Sequence, residues 1–279
     1  MNAAPRTLAS LASQRVSARG RLTVHFAEGR TRVAELYQDG AAKVRVPRRD
    51  GAGLETVLIN TAGGLTGGDR LSWEVKVGAG AALTVTTQAC ERIYRSAEGQ
   101  AQMRSTVRLE AGARLAWLPQ ETILFDRSAL SRSLDVDLAV GAEALVSEAV
   151  IVGRMAHGET VRQATFREKW RVRQGGRLVH AEELALGPDF QAQLAARAGG
   201  NGAAAFAAIL LVAADAEILL EPARAIIGGA GGASFWRVGE TGKLLARLVA
   251  ADGYALRQRL VPLLALLNRG AVMPKLWSL

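Results

Sequence analysis

Glycines and one acid are concentrated in a short stretch, TAGGLTGGDR at 61–70. A glycine-rich loop can bind phosphate, but a P-loop places Lys and then Ser or Thr after its last glycine. Here Gly68 is followed by Asp69, and a carboxylate at that position would repel a phosphate. The glycine-rich stretch at 229–234, GAGGAS, also departs from GxGxxG. We therefore expect no nucleotide at either loop, and we interpret the first as a tight, close-packed turn that holds Asp69 in place.

Residue types that catalyse hydrolysis are present, but their spacing matches no hydrolase motif. No GxSxG elbow and no HExxH motif occurs. HGE at 157–159 matches half of a deaminase signature whose PCxxC half is missing. The one cysteine, Cys90, excludes a disulfide framework and a CxxC metal site, and we interpret it as a small free thiol. We predict no enzymatic activity, and a divergent β-fold hydrolase is an alternative that a clustered nucleophile and base would reveal. The three histidines are His25, His157 and His180.

Carboxylates are the metal ligands that this chain has in quantity. Oxygen ligands hold borderline divalent ions more weakly than imidazole or thiolate does. A protein built in this way can pass a metal ion along but is poorly suited to retaining it, so we expect no tightly bound cofactor. Taken singly, each acid is more often solvated or hydrogen-bonded than a ligand. The acids considered are Asp69, Glu121, Asp126, Glu148, Glu159 and Glu182.

Alternating apolar and polar residues dominate the first two thirds of the chain and predict β-strands. Trp73, Val75 and Val77 form one such apolar face, and similar alternation recurs further along the chain. Gly175 and Gly176 separate two alternating segments and predict a two-residue hairpin, because glycine tolerates the positive φ of such turns.

A degenerate repeat is superimposed on the alternation. VKVGAGAALTV, VRLEAGARLAW and LAVGAEALVSE each place a turn at Gly78, Gly112 or Gly141 between two strand-like segments. The repeat predicts stacked hairpin units in a sheet that coils or layers. A plain antiparallel sandwich is the alternative.

Leucine spacing in the last fifth of the chain predicts helices. Two sets of apolar residues follow helical spacing, one after Thr241 and one after Asp252, and Pro262 should kink or interrupt the second. We interpret GGAGGAS at 228–234 as a flexible connector, and 203–214 is ambiguous between helix and strand. The two sets are Leu244, Leu245, Leu248 and Val249, then Leu256, Leu260, Leu263, Leu264 and Leu267.

The predicted organisation is a flexible N-terminal arm over 1–19 and one domain over 20–279. Strands run to about residue 212, and helices lie mainly within 215–268.

The charge balance indicates an acidic partner. Lysine plus arginine number 35 against 26 acids, a net charge of +9, which attracts acidic proteins, nucleic acid or anionic lipid. The basic residues are scattered and only 5% of residues are aromatic, so nucleic acid is the weaker alternative, a basic β-rich nucleic-acid-binding protein. The apolar run at 203–214 is too short to span a bilayer. A single cysteine fits a reducing compartment, and we expect a cytoplasmic protein without a membrane partner.

Four blocks together resemble one known family. They are LINTAGGLTGGDRL (58–71), TTQACERIYRS (86–96), WLPQETILFD (117–126) and VGRMAHGE (152–159). With the tail LLARLVAADGYALRQRLVPLLALL and the ending MPKLWSL, they resemble the UreD family, also called UreH, of urease accessory proteins. The resemblance covers about residues 20–279.

The resemblance implies a mainly β fold, a layered helicoid of β-strands with a small C-terminal helical part, in which 203–214 is a strand. It implies no catalysis. Family members bind UreF, which carries the GTPase UreG, and the complex docks on the urease apoprotein and helps to insert nickel. Water-filled passages through such proteins are proposed nickel routes, so transient nickel is expected.

Individual residues carry the implied roles. Asp69, Glu148 and Glu182 are implied to line or approach the metal route. No imidazole stands before the first glycine pair, where this chain has Asn60-Thr61-Ala62 and many members have a histidine and prolines, so a fixed nickel site at that turn is not expected. The residues that match the family's structural motifs are Gly63, Gly64, Gly67, Gly68, Pro119, Gln120, Glu121, Asp126, Gly153 and Arg154.

Overall fold

A computed structural model describes residues 15–48, 51–154, 158–187 and 189–278. Most of the predicted N-terminal arm, residues 1–14, lies outside the described residues, as does His157 of the HGE sequence. The domain begins slightly earlier than predicted, because the first strand already starts at Ser17.

Strands make up most of the described chain. In order they are β1 (Ser17–Ala27), β2 (Arg30–Asp39), β3 (Ala42–Arg45), β4 (Leu54–Asn60), β5 (Arg70–Val77), β6 (Ala82–Thr87), β7 (Glu91–Ile93), β8 (Ala101–Leu109), β9 (Arg114–Leu118), β10 (Thr122–Leu124), β11 (Ser128–Leu138), β12 (Glu143–Val152), β13 (Ala164–Gln174), β14 (Arg177–Leu186), β15 (Ala205–Val212), β16 (Gly231–Val238) and β17 (Thr241–Ala250). The α-helices are α1 (Phe190–Ala195), α2 (Leu220–Ile227) and α3 (Gly253–Leu267), and short 3-10 turns lie at Ala216–Leu219, Gly228–Ala230 and Lys275–Trp277.

The strands form two sheets. Sheet A has the order β14-β13-β11-β8-β5-β1-β2, and sheet B has the order β16-β17-β15-β12-β9-β6-β4-β3, with β10 and β7 attached beside β12. The three repeats correspond to β5–β6, β8–β9 and β11–β12. In each repeat the chain passes from sheet A to sheet B, and equivalent strands of successive repeats pair in parallel. The coiled, layered fold predicted from the repeat is confirmed, but the prediction that each repeat is a hairpin is wrong, because its two strands belong to different sheets.

The alternation determines the layers. Even-numbered residues of β11, such as Leu134 and Val136, point into the core between the two sheets. The central strands of sheet B, β9, β12 and β15, are buried on both faces, since the second face packs against the helices around Leu260. A strand buried on both faces is apolar throughout, which explains why 203–214 is ambiguous in sequence and yet contains strand β15.

Two predictions for the last fifth of the chain are wrong. Residues 241–250 form strand β17 and not a helix, because β17 pairs with both β15 and β16 and buries leucines on both of its faces. Apolar residues on both faces imitate helical spacing. Residues 228–234 are a 3-10 turn followed by the start of β16 and not a connector. Strands therefore continue well beyond residue 212.

The second predicted helix is confirmed as α3. Its N-cap is Asp252, whose Oδ1 accepts a hydrogen bond from Ala255 N at 2.7 Å. The helix runs through Pro262, so the predicted interruption does not occur. The predicted hairpin is also confirmed: Gly175 and Gly176 have φ of 55° and 81° between β13 and β14.

Candidate functional site

Asp69 ends the TGGD turn just before β5. Its Oδ2 accepts a hydrogen bond from Thr66 N at 2.8 Å and its Oδ1 accepts one from Val16 N at 2.9 Å. The residue is buried, so its carboxylate joins the turn to the chain that enters β1. The prediction that Asp69 lies on a metal route gains no support from these contacts.

The glycines of this turn allow a close approach to a neighbouring loop. A Cβ on Gly67 would lie 2.2 Å from the Glu98 carbonyl oxygen and 2.0 Å from Ser96 Oγ, distances that real atoms do not tolerate. Gly68 has φ of 88°, which disfavours other residues. This is the close-packed turn that the glycine pattern predicts.

A cavity of about 270 Å³ lies between the sheets. Its outer wall includes Asn60, Cys90 and Glu91, and its inner end is formed by the buried side chains of Arg132 and Glu148. Burial raises the pKa of Glu91 to about 7, although the Asn60 amide donates to its carboxylate at 3.0 Å. The cavity thus has one carboxylate in its outer wall, Glu91, and another at its inner end, Glu148.

A buried charge cluster forms the inner end of the cavity. Arg132 contacts two carboxylates, with Nη1 2.6 Å from Glu148 Oε2 and Nη2 against Glu168 Oε1. Arg132 Nη1 also donates to Thr122 Oγ1 at 2.8 Å, and Trp117 Nε1 donates to Glu148 Oε1 at 3.1 Å. Burial raises the pKa of Glu148 above its usual value, while the Arg132 guanidinium opposes that shift. Two carboxylates thus share one guanidinium inside the protein.

Glu182 lies on the last strand of sheet A, at the far end of the same interior face. Its Oε2 is 3.4 Å from His180 Nε2 and 3.1 Å from Nη2 of Arg247, whose side chain is 63% exposed. Burial raises the pKa of Glu182, but His180 and Arg247 outweigh that effect and hold it below its usual value. Glu182 therefore stands where the interior meets solvent.

The register of β13 and β14 connects the two clusters. Glu168 is opposite Leu184, and Trp170 is opposite Glu182. Glu168 and Glu182 are therefore diagonal neighbours on one face, a relation that separates residues by about 7–8 Å. Glu148, Glu168 and Glu182 therefore form a series in the protein interior, in which Arg132 contacts the first two and Glu168 neighbours the third. Asp69 makes none of these contacts; its carboxylate bonds to the backbone of its own turn and of Val16.

Comparisons with known proteins point to one family. A model of the UreD urease accessory protein family matches residues 17–278. The urease accessory protein UreD 1 of Brucella anthropi is 57% identical over 275 residues, 97% of each chain. UreD of Mesorhizobium japonicum is 57% identical over 267 residues, which cover 96% of this chain and 95% of the relative.

This chain belongs to the UreD family of urease accessory proteins. The resemblance seen in the sequence blocks is confirmed, and so is the fold that it implies. Like its relatives, this UreD-family chain is an accessory protein for urease maturation and not an enzyme.

The PQE residues of this UreD-family chain join the cavity wall to helix α3. Glu121 is 1% exposed, and Arg257 donates to it twice, from Nε to Oε1 at 2.6 Å and from Nη2 to Oε2 at 3.0 Å. Arg257 also donates to Gln120 Oε1. Burial raises the pKa of Glu121, but the bonds from Arg257 outweigh it and hold the pKa below its usual value.

The last residues of the described chain, 274–278, fasten the same corner and are termed the C-terminal strap. Gln120 Nε2 donates to the Leu276 carbonyl at 3.0 Å, and Trp277 Nε1 donates to the Leu118 carbonyl at 3.0 Å. Pro119 lies between these contacts and lines the cavity. The PQE block is therefore in direct contact with the C-terminal strap.

Cys90 lies in the cavity wall beside this clamp. Its Sγ is 3.4 Å from Glu121 Oε2. Burial and the Glu121 carboxylate raise the pKa of the thiol to about 12, so it is protonated at neutral pH. This agrees with its interpretation as a free thiol rather than a nucleophile.

The FD and GR motifs meet in a second structural contact. Asp126 Oδ1 accepts from the Arg162 amide at 2.8 Å, and Glu159 accepts from Arg154 Nε at 2.8 Å. Gly153 precedes Arg154 with φ of 75°. These contacts hold Gly153, Arg154 and residues 159–162 near the end of β10, and none of these residues lines the cavity.

Sequence analysis missed Arg132, Glu168 and Glu91. The alternation of β11 and β13 contains the signal for the first two: Arg132 lies between inward-facing Leu130 and Leu134, and Glu168 lies two residues from Trp170 on a buried face. A charged residue at an inward position predicts a buried partner of opposite charge.

Within the described ranges, no three histidine, cysteine, aspartate or glutamate residues are grouped so that they could hold a metal ion. In the same ranges, no helix is long and apolar enough to cross a bilayer.

Proposed function

We propose that this chain is a scaffold and conduit for the insertion of nickel into apo-urease, acting in complex with UreF and UreG. The observation that supports the conduit most strongly is the interior series of carboxylates from the cavity to the opposite end of sheet A. Membership of the UreD family supports the urease partner.

The proposed route enters at Glu91, reaches Glu148 at the inner end of the cavity, and leaves past Glu182. Nickel is the cargo here and not a resident cofactor. Oxygen ligands supplied one or two at a time bind a borderline ion weakly, so each stage can receive the ion and release it. Carboxylate oxygens along the route favour a cation over an anion.

The scaffold part of the proposal draws on the surface. The net charge of +9 favours acidic partners and accelerates their encounter through long-range attraction. The helical layer exposes Ile218 and Tyr254, 69% and 75% accessible, which are suited to apolar contacts within a complex. We place the assembly in the cytoplasm, where one free thiol and no disulfide are usual.

The test is to mature urease in cells that lack the native gene and express variants of this chain. Glu148→Gln and Glu182→Gln should still co-purify with UreF, UreG and urease, while the nickel content of the urease falls below about half. Glu28→Gln, at an exposed ion pair with Arg32 in the β1–β2 hairpin, is the matched control and should give full nickel loading.

Two results would contradict the proposal. If no combination of UreF, UreG and urease co-purifies with the chain, the scaffold role is wrong. If both interior variants deliver full nickel, the conduit role is wrong. Retention of the purified chain on DNA that weakens steeply with salt would instead favour the nucleic-acid alternative.

A further inference from the structure

Arg132 occupies an unusual place for a cation. Its side chain is 6% exposed and lies at the inner end of the cavity, between Glu148 and Glu168. The two terminal nitrogens belong to one planar group, and each contacts a different carboxylate. The two carboxylates therefore face one another across the width of a single guanidinium.

This placement conflicts with a route for a metal cation. A divalent ion that reaches the inner end of the cavity meets the guanidinium of Arg132, which is paired with the carboxylates of Glu148 and Glu168. In a buried site, like charges repel strongly because little water screens them. The ion can occupy the space between Glu148 and Glu168 only when the guanidinium has left it.

We propose that Arg132 is a gate, and that Glu148 and Glu168 are the transient metal ligands it covers. This inference rests on the proposed conduit function and names the site within it. In the closed state Arg132 neutralises one of the two carboxylates. In the open state a divalent cation replaces the guanidinium between them, with Thr122 Oγ1 as a further oxygen within reach of the same position.

The surroundings of Arg132 permit this exchange. Within the described chain its Nε has no hydrogen-bond partner, so the guanidinium is held only at its outer nitrogens. Its Cζ lies 5.5 Å from the centroid of the Phe166 ring, and its side chain lines the cavity. The cavity therefore offers the guanidinium a space into which it can turn.

The ligand chemistry follows from the donors. Two carboxylates and a hydroxyl are oxygen donors that accept a borderline divalent cation without binding it tightly. A soft monovalent ion finds no sulfur among them. The ion pairs with Arg132 also offset the free-energy cost of burying two carboxylates when no metal ion is bound.

The binding test uses the purified full chain titrated with nickel chloride in a calorimeter. Arg132→Met should bind one Ni²⁺ at least about tenfold more tightly than the unaltered chain, because the repelling charge is gone. Arg132→Lys keeps the positive charge and should bind as weakly as the unaltered chain. Arg132→Met combined with Glu168→Gln should lose the gain. Equal Ni²⁺ affinity in a folded Arg132→Met variant and the unaltered chain would overturn the gate.

A second measurement applies even if Arg132→Met does not fold. Glu168→Gln keeps the Arg132–Glu148 pair, so the core stays neutralised. The gate predicts that this variant forms the complex normally and delivers less than about half the nickel per urease. Full delivery by Glu168→Gln would overturn the assignment of Glu168.

The two proposals fail in different ways. If Glu148→Gln and Glu182→Gln deliver full nickel, the conduit itself is wrong and the gate is lost with it. If those variants are impaired but Arg132→Met binds Ni²⁺ no more tightly than the unaltered chain, the conduit stands and the gate alone is wrong.

Discussion

The clamp between Arg257 and Glu121 gives the sharpest prediction for stability. Replacing Arg257 by Met keeps much of the side-chain volume but leaves a carboxylate that is 1% exposed without its bidentate partner. Removing one partner of a buried ion pair costs about 3–5 kcal/mol. Arg257 is itself 26% exposed, and the stranded acid can take up a proton. We therefore expect the lower end, a loss of about 3 kcal/mol in the free energy of unfolding.

Thermal unfolding followed by circular dichroism measures this loss. A chain of this size shifts its Tm by about 2 °C per kcal/mol, so Arg257→Met should melt about 6 °C lower at pH 7. Adding Glu121→Gln removes the stranded charge and should restore roughly half of the loss. Glu221→Gln breaks an exposed pair on α2 and should change Tm by less than about 2 °C.

The pH dependence has a definite sign. The pKa of Glu121 lies below its usual value in the folded chain, so the clamp contributes fully above the unfolded-state pKa and is lost as pH falls through the folded-state pKa. The difference in Tm between Arg257→Met and the unaltered chain should therefore shrink in acid. A loss at pH 7 no larger than that of Glu221→Gln, or one that grows in acid, would refute the reasoning.

Three further predictions concern the turn and the cavity wall. Gly67→Ala should lower the free energy of unfolding by about 1–3 kcal/mol or prevent folding, because its Cβ would collide with the Glu98 carbonyl. The control is Gly232→Ala, whose Cβ would meet no atom within 4 Å. Equal urea unfolding midpoints for the two variants would contradict the prediction. The pKa of Glu91 is raised to about 7, so the folded chain binds the extra proton and loses stability as pH rises from about 4.5 to 7. Glu91→Gln should remove that slope in urea unfolding, and an unchanged slope would show that another group causes it. Cys90, with a pKa of about 12, should react with iodoacetamide at pH 8 far more slowly than in urea, and equal rates would contradict its burial.

The alternating strands and the coiled repeat were predictable, because side-chain burial on one face of a sheet leaves a period of two in the sequence. The strand β17 was not. Its Leu244 is buried against the helices, and its Leu245 is partly buried on the opposite face, in the core between the sheets. Local spacing cannot distinguish that pattern from a helix. Its pairing with β16 and with the more distant strand β15 determines it.

The candidate site was predictable in part. Glu148 and Glu182 came from the family resemblance, and the structure places both in one interior series. Glu168 and Arg132 could have been found from their inward positions in β11 and β13, but their pairing depends on the register between two strands that are 36 residues apart at this point. Asp69 stands out in sequence because of its glycines, and its contacts show a turn residue.

Nickel transfer between purified components tests the central claim most directly. Apo-urease, UreF, UreG, GTP and nickel are combined with or without this chain, and the metal bound to the re-isolated urease is counted by mass spectrometry. We expect urease to acquire its nickel efficiently only when the chain is present. Equal nickel loading in its absence would contradict the account.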